Sequence, residues 1–335
     1  MWSPFQHIVL VLCLCALISA TPAPLTIPRD THRSKDSQLT NLNTTLGQIV
    51  PTAFTVVPGI LTGPTLPETS CLLQTLVALG RTASENFNDR QNPSIYVDPL
   101  FAIELDGRRT GASLDRKYAV WGLYGVLAHM LREDDYRARL YTLRWQTVIV
   151  GRIRLSSRTP PRLSVGNSTT SEMGTSAPEN NVIQLSNATT AFNSTTLGTR
   201  FIEGNLEYSI TPVGQTIAEE NIYMTVATAL VKTAPIPITE PIHMLNVDTR
   251  AFNSHLRIAD PYDPPRSSPP FLLKLFLIKV LCQIPALMVV EGNHWSEVEL
   301  GVKIDNVIVA TGSLRRVESM SGLGSGSLDV KVSTS

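Results

Sequence analysis

Residues 63–83 read GPTLPETSCLLQTLVALGRTA, and residues 214–234, 151 positions later, read GQTIAEENIYMTVATALVKTA. These stretches decide the fold because one is a version of the other: seven of the 21 aligned positions are identical. Unrelated segments of this length share about one or two identities by chance. The chain is therefore predicted to repeat one structural unit.

The similarity continues beyond these stretches. Residues 147–150 (TVIV) match residues 306–309 (NVIV) at an offset of 159, so the offset has grown along the chain. Growth of this kind is typical of small loop insertions in one of two copies. We therefore predict two modules, a first module at residues 50–158 and a second module at residues 205–318.

Each module is predicted to contain a helix, a strand, a second helix and a β-hairpin, in that order. The elements expected in the first module are a helix at 68–84, a strand at 95–105, a helix at 118–132, and hairpin strands at 140–145 and 148–155. The matching elements of the second module are a helix at 219–233, a strand at 255–259, a helix at 271–283, and hairpin strands at 298–304 and 307–314.

Residues 271–290, FLLKLFLIKVLCQIPALMVV, form a long apolar segment. They do not resemble a membrane span, because Lys274 and Lys279 would each cost about 2.5–3.5 kcal/mol near the centre of a bilayer. We expect a buried helix that ends before Pro285 and is followed by a strand. Helices mixed with antiparallel hairpins predict an α+β fold, in which the modules form a pseudo-twofold pair or share one sheet.

The N-terminus indicates the compartment. Residues 8–18, IVLVLCLCALI, are an apolar run followed by small residues, which predicts a signal peptide over residues 1–20. An uncleaved membrane anchor is the alternative, although this run is shorter than the roughly 20 residues that a bilayer core needs. Four Asn-x-Ser/Thr sequons predict N-glycosylation, at Asn43, Asn167, Asn187 and Asn193.

Polar segments flank and separate the modules. Residues 21–49 are predicted to be a mobile leader, and residues 159–204, rich in Ser, Thr and Asn, a flexible glycosylated linker. Such a composition buries too little apolar area to offset the conformational entropy that ordering costs. Residues 319–335 are predicted to be a Ser/Gly-rich tail, without the hydrophobic end that a GPI signal needs.

Two cysteines, Cys71 and Cys282, lie outside the predicted signal peptide. In an oxidising compartment they are candidates for a disulfide bond. The alternative is a pair of buried free thiols that behave as small hydrophobic groups. Two cysteines are too few for a Cys-rich zinc site, and we predict neither a metal site nor a cofactor.

The composition and the motifs limit the classes of function that fit this chain. The chain has 28 basic and 28 acidic residues among 335, so it lacks the basic excess that is typical of nucleic-acid-binding proteins. It contains no G-x-S-x-G, H-E-x-x-H or P-loop signature. These observations favour a binding or structural protein over an enzyme.

Carboxylates and one histidine are the candidates for catalysis. Glu104 and Asp106 are two residues apart on one predicted strand, so they share a face, and a carboxylate pair is sufficient for glycoside hydrolysis. His294, beside Trp295 and near Glu297, is a candidate general acid or base. The alternative is ordinary turn and loop chemistry at these positions.

A second candidate site is electrostatic. Residues 105–158 carry 11 basic and 5 acidic residues, whereas the start of the second module is acidic. With a two-residue hairpin turn, Arg139, Arg152 and Arg154 share one face with Tyr141 and form a possible anion-binding surface. The alternatives are attraction between the modules and a solvated sheet face.

Residues 118–124 (YAVWGLY), the strand at 143–145 and residues 150–153 (VGRI) resemble uncharacterised secreted proteins of filamentous fungi. The resemblance covers one module and implies no activity and no site residues. The leading hypothesis is a secreted, N-glycosylated, non-enzymatic protein that binds an extracellular protein or a wall polysaccharide. The alternatives are an extracellular carboxylate-dependent hydrolase and a membrane-tethered surface protein.

Overall fold

The computed structural model describes residues 49–60, 63–158, 199–249, 252–290, 292 and 294–317. The predicted signal peptide, nearly all of the leader, most of the linker and the tail lie outside the described residues. So do the four sequon asparagines, Asn43, Asn167, Asn187 and Asn193.

Helices alternate with antiparallel strands in both modules, so the fold is α+β. The first module contains β1 (Phe54–Pro58), α1 (Glu68–Ser84), β2 (Arg90–Gln91), β3 (Ser94–Val97), β4 (Phe101–Gly107), β5 (Leu114–Asp115), α2 (Arg116–Glu133), β6 (Arg139–Trp145) and β7 (Val148–Ser157). The second contains β8 (Thr199–Glu203), β9 (Leu206–Thr216), α3 (Glu219–Thr233), β10 (Met244–Thr249), β11 (Ser254–Ala259), α4 (Lys274–Val290), β12 (Ser296–Ile304) and β13 (Val307–Arg316).

Both modules build their main antiparallel sheet along the same path. The first sheet has the strand order β1-β6-β7-β4-β3, and the second has β8-β9-β12-β13-β11-β10. If β8 is set aside, β9 takes the place of β1, and β12, β13, β11 and β10 take the places of β6, β7, β4 and β3. The strands β2 and β5 form a separate short ladder in the first module.

Equivalent positions make equivalent contacts. The amides of Leu66 and Ile217, just before α1 and α3, each donate to a carbonyl in the segment that leads into the module's hairpin. Near the ends of the same helices, Thr82 and Thr233 each donate a hydroxyl hydrogen bond of 2.8 Å to the carbonyl four residues earlier. The two copies of the repeated stretch therefore share their local structure.

The helices lie between the two sheets. The first sheet packs on α1 and α2, the second on α3 and α4, and α1 also packs on α3 and α4. Buried residues alternate along the hairpin strands, so each sheet turns one face to the helices and the other to solvent. One hydrophobic core spans both modules, and within it Tyr124 and Thr228 share a hydrogen bond of 3.2 Å.

A buried lysine joins the C-terminal ends of α1 and α3, which run side by side and parallel. Lys274 has no exposed surface, and its Nζ donates to the carbonyl of Glu85 at 2.9 Å and to that of Ala234 at 2.5 Å. Parallel helices bring two negative dipole ends together, and a cation there offsets both. Burial, with a contribution from Arg116, lowers the pKa of Lys274 to about 8.

Arg116 starts α2 as Lys274 starts α4. Its guanidinium donates to the carbonyl of Asn86 at 2.8 Å and pairs with Glu85 at 2.5 Å, just beyond the end of α1. In each module, therefore, a buried cation at the start of the second helix donates hydrogen bonds to backbone carbonyls at the C-terminal end of the first helix.

The predicted bounds of α1 and α3 are confirmed. The single strand expected at 95–105 is wrong, because the structure has two strands, β3 and β4. They are separated by a tight turn in which Asp98 Oδ1 accepts a 2.9 Å hydrogen bond from the amide of Leu100. The strand β10 was not predicted, and it pairs with β11 along its whole length.

The end of α4 and the end of the predicted linker also differ from prediction, because tertiary contacts outweigh local sequence signals. The expected end of a helix before Pro285 is wrong, since α4 continues through this proline. Ile284 and Leu287 on either side are buried, so packing offsets the missing backbone hydrogen bond. Residues 199–203, assigned to the linker 159–204, form β8 on the edge of the second sheet.

Of the two alternatives for Cys71 and Cys282, the structure has the pair of free thiols and not the disulfide. The Cys282 sulfur lies against Gly80, nine residues along α1 from Cys71. Nine helical residues span about 13.5 Å, whereas the Cα atoms of a disulfide lie at most about 7 Å apart. Burial raises the pKa of each thiol to about 12, so both act as small apolar groups.

The close contact of α1 with α4 predicts a coupled pair of substitutions. The Cβ of an alanine at Gly80 would lie 2.5 Å from Cys282 Sγ, so Gly80→Ala should lower the free energy of unfolding by about 1–3 kcal/mol. Cys282→Ala removes the sulfur, and the double variant should recover most of that loss. Urea denaturation of the four proteins measures the coupling, and additive losses would contradict the contact.

The bridge at Lys274 predicts a large loss when its ammonium is removed. Lys274→Met keeps the apolar stem but leaves two buried carbonyls without this donor, which should cost about 2–5 kcal/mol. Lys279→Met is the matched control on the same helix. Its partner Glu203 is a half-exposed carboxylate, so the control should cost less than about 1 kcal/mol. Equal losses in chemical denaturation would refute the bridge.

Candidate binding surface

The candidate catalytic residues lie in different modules. Glu104 and Asp106 are on the solvent side of β4, where their register partners on β7 are Arg154 and Arg152. His294 is exposed in the segment between α4 and β12, and its backbone amide donates to a carbonyl at the end of α4. The structure therefore gives these three side chains no shared pocket.

Each carboxylate has a local partner instead. Glu104 pairs with Arg154 at 3.7 Å across the sheet, and Asp106 Oδ1 accepts a 3.1 Å hydrogen bond from the amide of Gly111 in the following turn. Glu297, the expected partner of His294, pairs with Arg315 at 3.2 Å. These contacts favour the alternative in which the three candidate residues serve ordinary turn and loop structure and not catalysis.

The predicted arginine surface is wrong at Arg139. A β-bulge at Val150 in β7 shifts the register of the two hairpin strands, so that Arg139 pairs with Leu155 and not with Arg154. Because side chains alternate along a strand, a shift of one residue moves a side chain to the other face. Arg139 therefore lies on the core side with Tyr141, whereas Arg152 and Arg154 remain on the outer face.

Arg139 is buried and already has partners. Its guanidinium donates to the Asp135 carboxylate, and its Nη1 lies 3.0 Å from His129 Nε2. Hydrogen bonds from Arg137 and Arg139 hold the pKa of Asp135 well below its usual range. Burial, then the charge of Arg139, lowers the pKa of His129. This arginine is a structural group and offers no surface to an external anion.

Ion pairs also cover the outer face of the second sheet. Glu207 binds Arg200 at 2.5 Å and Lys303 at 3.2 Å, and Arg315 binds Glu299 at 2.7 Å. Opposite charges therefore pair locally on the outer faces of both sheets. This arrangement matches the solvated-face alternative for the uneven charge pattern.

Aromatic side chains gather where α2 meets the ends of β1 and β6. Four of the five are only partly buried, and Phe54 is buried. Neighbouring ring centroids lie 5.5–6.1 Å apart, within the range in which aromatic pairs attract. The aromatic cluster consists of Phe54, Phe87, Tyr118, Trp121 and Trp145.

Three elements position the aromatic cluster. Tyr118 and Trp121 are three residues apart on α2, so they lie on one face of the helix. Phe54 and Trp145 are register partners in the β1–β6 pair. Phe87, from the segment after α1, meets Trp121 edge-on at 5.8 Å. Rings from distant parts of the module thus form one surface.

The two modules differ at this surface. Lys117 places its ammonium 5.1 Å from the Tyr118 ring centroid. In the second module, Lys279 lies five residues into α4 as Trp121 lies five residues into α2, and it pairs with Glu203 of β8 at 2.7 Å. Within the described residues, the first sheet ends at β1, whereas β8 extends the second sheet beyond β9.

The aromatic cluster was missed from sequence because aromatic residues make up only 6% of the chain. A signal was present in the spacing of Tyr118 and Trp121, which share a helical face within the quoted segment 118–124. Their meeting with Trp145 depends on strand register, which a single sequence does not specify.

The described residues contain neither a candidate metal site nor a candidate membrane-spanning helix. No group of three or more His, Cys, Asp and Glu side chains is arranged to hold a metal ion in this part of the chain. Nor does any helix within it combine the length and apolar character needed to cross a membrane.

No protein-family model and no curated protein matches this chain. Among solved structures, it is similar to the tandem DUF26 ectodomain of the Arabidopsis thaliana cysteine-rich receptor-like protein PDLP8. The match has 6% sequence identity and a TM-score of 0.22, and it covers 79% of this chain and 98% of that one. A TM-score of this size establishes no shared fold, so nothing is transferred from that protein.

The structural role of Arg139 predicts the effect of removing its carboxylate. Asp135→Asn should lower the free energy of unfolding at pH 7 by about 3 kcal/mol, because the guanidinium stays buried with a weaker partner. The depressed pKa of Asp135 adds stability above its unfolded pKa that is lost on acidification, so the variant should lose less between pH 6 and pH 3. Asp115→Asn, whose pair with Arg90 is exposed, is the control for thermal unfolding at both pH values.

Proposed function

We propose that the protein is a secreted, N-glycosylated, non-enzymatic binding protein of two duplicated modules, and that the aromatic cluster binds a polysaccharide. The observation that carries the proposal is the group of partly exposed rings on the first module. Contiguous exposed apolar surface on soluble proteins marks interaction sites, and Trp and Tyr dominate the binding energy of such sites.

The predicted signal peptide and sequons support an extracellular location. Both observations come from sequence: the apolar run at 8–18 and the sequons at Asn43, Asn167, Asn187 and Asn193. Glycans at the last three sites would fall in the linker between the modules, away from the aromatic cluster in sequence. The predicted signal peptide and the sequons are both consistent with a secreted protein that has a binding surface on one module.

Duplication is supported by agreement between sequence and topology. The repeated stretch forms α1 in one module and α3 in the other, and the main sheets share one strand order apart from β8. We propose that the copies diverged in role. In the second module β8 and the Lys279–Glu203 pair occupy the region that corresponds to the open aromatic surface of the first.

A polysaccharide suits this surface for two physical reasons. The faces of aromatic rings are apolar and weakly negative, so they attract the C–H faces of sugar rings. Aromatic side chains are also rigid, and little conformational entropy is lost when they bind. Lys117, beside Tyr118, supplies a hydrogen-bond donor for hydroxyl groups at the edge of the rings.

The test is retention of the secreted, glycosylated chain on insoluble cellulose, chitin and β-1,3-glucan. Trp121→Ala and Tyr118→Ala should each weaken binding to the retained polysaccharide at least about tenfold, equivalent to ~1.4 kcal/mol. Trp121→Phe should keep much of the affinity, because it preserves an aromatic ring at the same place.

Leu275→Ala is the matched control, since it removes an exposed apolar side chain from α4 in the second module. Thermal unfolding of each variant separates lost binding from lost folding. If the wild-type chain binds none of the polysaccharides, or if Trp121→Ala binds as tightly as Leu275→Ala, the proposed function is wrong. Capture of a protein ligand that Trp121→Ala does not affect would also contradict it.

A further inference from the structure

The aromatic cluster is bordered by two cations without acidic partners. Lys117, the second residue of α2, places its ammonium 5.1 Å from the centroid of the Tyr118 ring. Arg144 is exposed on β6, directly before Trp145. Within the part of the chain that the structure describes, no carboxylate forms an ion pair with either cation.

The carboxylates near the aromatic cluster are already bound by other cations. Glu85 and Asp89, in the segment after α1, both pair with the guanidinium of Arg116, at 2.5 and 3.8 Å. Asp115, just before α2, pairs with Arg90 at 3.1 Å. Among the described residues of β1, α2, β6 and the segment between α1 and β2, the charges that remain unpaired are therefore positive.

The second module shows the same positions without unpaired charge. The hairpin register places Lys303 of β12 where Arg144 lies in β6, and Lys303 pairs with Glu207 of β9 at 3.2 Å. The β1 residue opposite Arg144 is Thr55, which is uncharged. The second residue of α4 is Leu275, so no cation stands there. The first module therefore differs from its copy in charge as well as in exposed rings.

We propose that the polysaccharide bound by the aromatic cluster is acidic, and that Lys117 binds the carboxylate of a uronic acid beside the rings. This inference rests on the proposed function and names the class of its ligand. The carboxylate of a uronic acid projects from the rim of the sugar ring. A sugar whose C–H face lies on an aromatic ring therefore holds its carboxylate beside that ring, where the ammonium is found.

An ammonium binds a carboxylate more strongly than it binds a hydroxyl. Hydrogen bonds that involve charged groups are roughly twice as strong as neutral ones, and an ammonium has three donors and no acceptor. The contact with the Tyr118 ring attracts the ammonium of Lys117 without neutralising it. Arg144, on the opposite face of β6 from Trp145, adds positive potential at longer range.

The experiment compares each polysaccharide that the wild-type chain retains with the same polymer partly oxidised at carbon 6, which converts sugars to uronates without changing their linkages. At pH 7 and low ionic strength, the wild type should bind the oxidised polymer at least about fivefold more tightly. In about 1 M NaCl this preference should largely disappear, because the Debye length falls to about 3 Å.

Four variants assign the preference to the proposed contact. Lys117→Gln should bind the two polymers equally, whereas Lys117→Arg keeps the charge and should keep the preference. Arg144→Gln should lose only part of it. Lys232→Gln is the matched control, because it removes one exposed positive charge from α3 in the second module and should bind as the wild type does.

The outcomes separate this inference from the proposed function. Equal binding of both polymers by the wild type would overturn the inference and leave the proposed function in place. A preference that persists in Lys117→Gln would also overturn it, as would undiminished binding of the oxidised polymer by Trp121→Ala, because either result indicates ion exchange at another surface. If the wild-type chain retains none of the polysaccharides, both the inference and the proposed function are wrong.

Discussion

The parallel packing of α1 against α3 is the constraint on which the rest of the structure depends. Two helix dipoles that point the same way repel, so charge must be arranged at both ends of the pair. At the C-terminal end, the buried ammonium of Lys274 binds carbonyls from both helices. At the N-terminal end, the first residue of each helix is a glutamate, Glu68 on α1 and Glu219 on α3, and negative charge is favourable at the positive end of a helix dipole. Each end of the helix pair thus carries charge of the sign that its dipoles favour.

Placing the helices between the sheets determines which surfaces of the modules stay exposed. The inner faces of both sheets are used by the core, and their outer faces are covered by local ion pairs such as Arg154–Glu104 and Arg315–Glu299. At the side of the first module, by contrast, the rings of the aromatic cluster remain partly exposed. The two modules therefore differ at a sheet edge, whereas they share one hydrophobic core.

Sequence reasoning succeeded where one segment carries its own signal. The bounds of α1 and α3 and the positions of the two hairpins follow from apolar periodicity and turn residues, as at Asp305 and Asn306, which both have positive φ. Prediction from sequence failed where a contact between distant segments determines the local structure. A bulge in β7 places Arg152 and Arg154 on the opposite face from Arg139, and the packing of α4 carries a helix through Pro285.

The same distinction between local signals and contacts between segments applies to the candidate site residues. Spacing alone placed Glu104 and Asp106 on one face correctly, but it could not reveal that arginines on β7 lie opposite them. The sequence left the pairing of Cys71 with Cys282 undecided, because two thiols in an oxidising compartment can form a disulfide or remain as buried free thiols. The helical distance from Cys71 to Gly80, where the Cys282 sulfur lies, shows why no bridge forms.

The sequence by itself determined the mixture of helices and hairpins that makes the fold α+β, because periodicity and turn chemistry are local properties of each segment. Only the tertiary structure decided which distant residues meet: Lys274 with the ends of α1 and α3, Tyr124 with Thr228, and Trp121 with Trp145. The physical reason is that register and helix packing depend on contacts between segments far apart in the chain. A single sequence does not encode those distances in any local pattern.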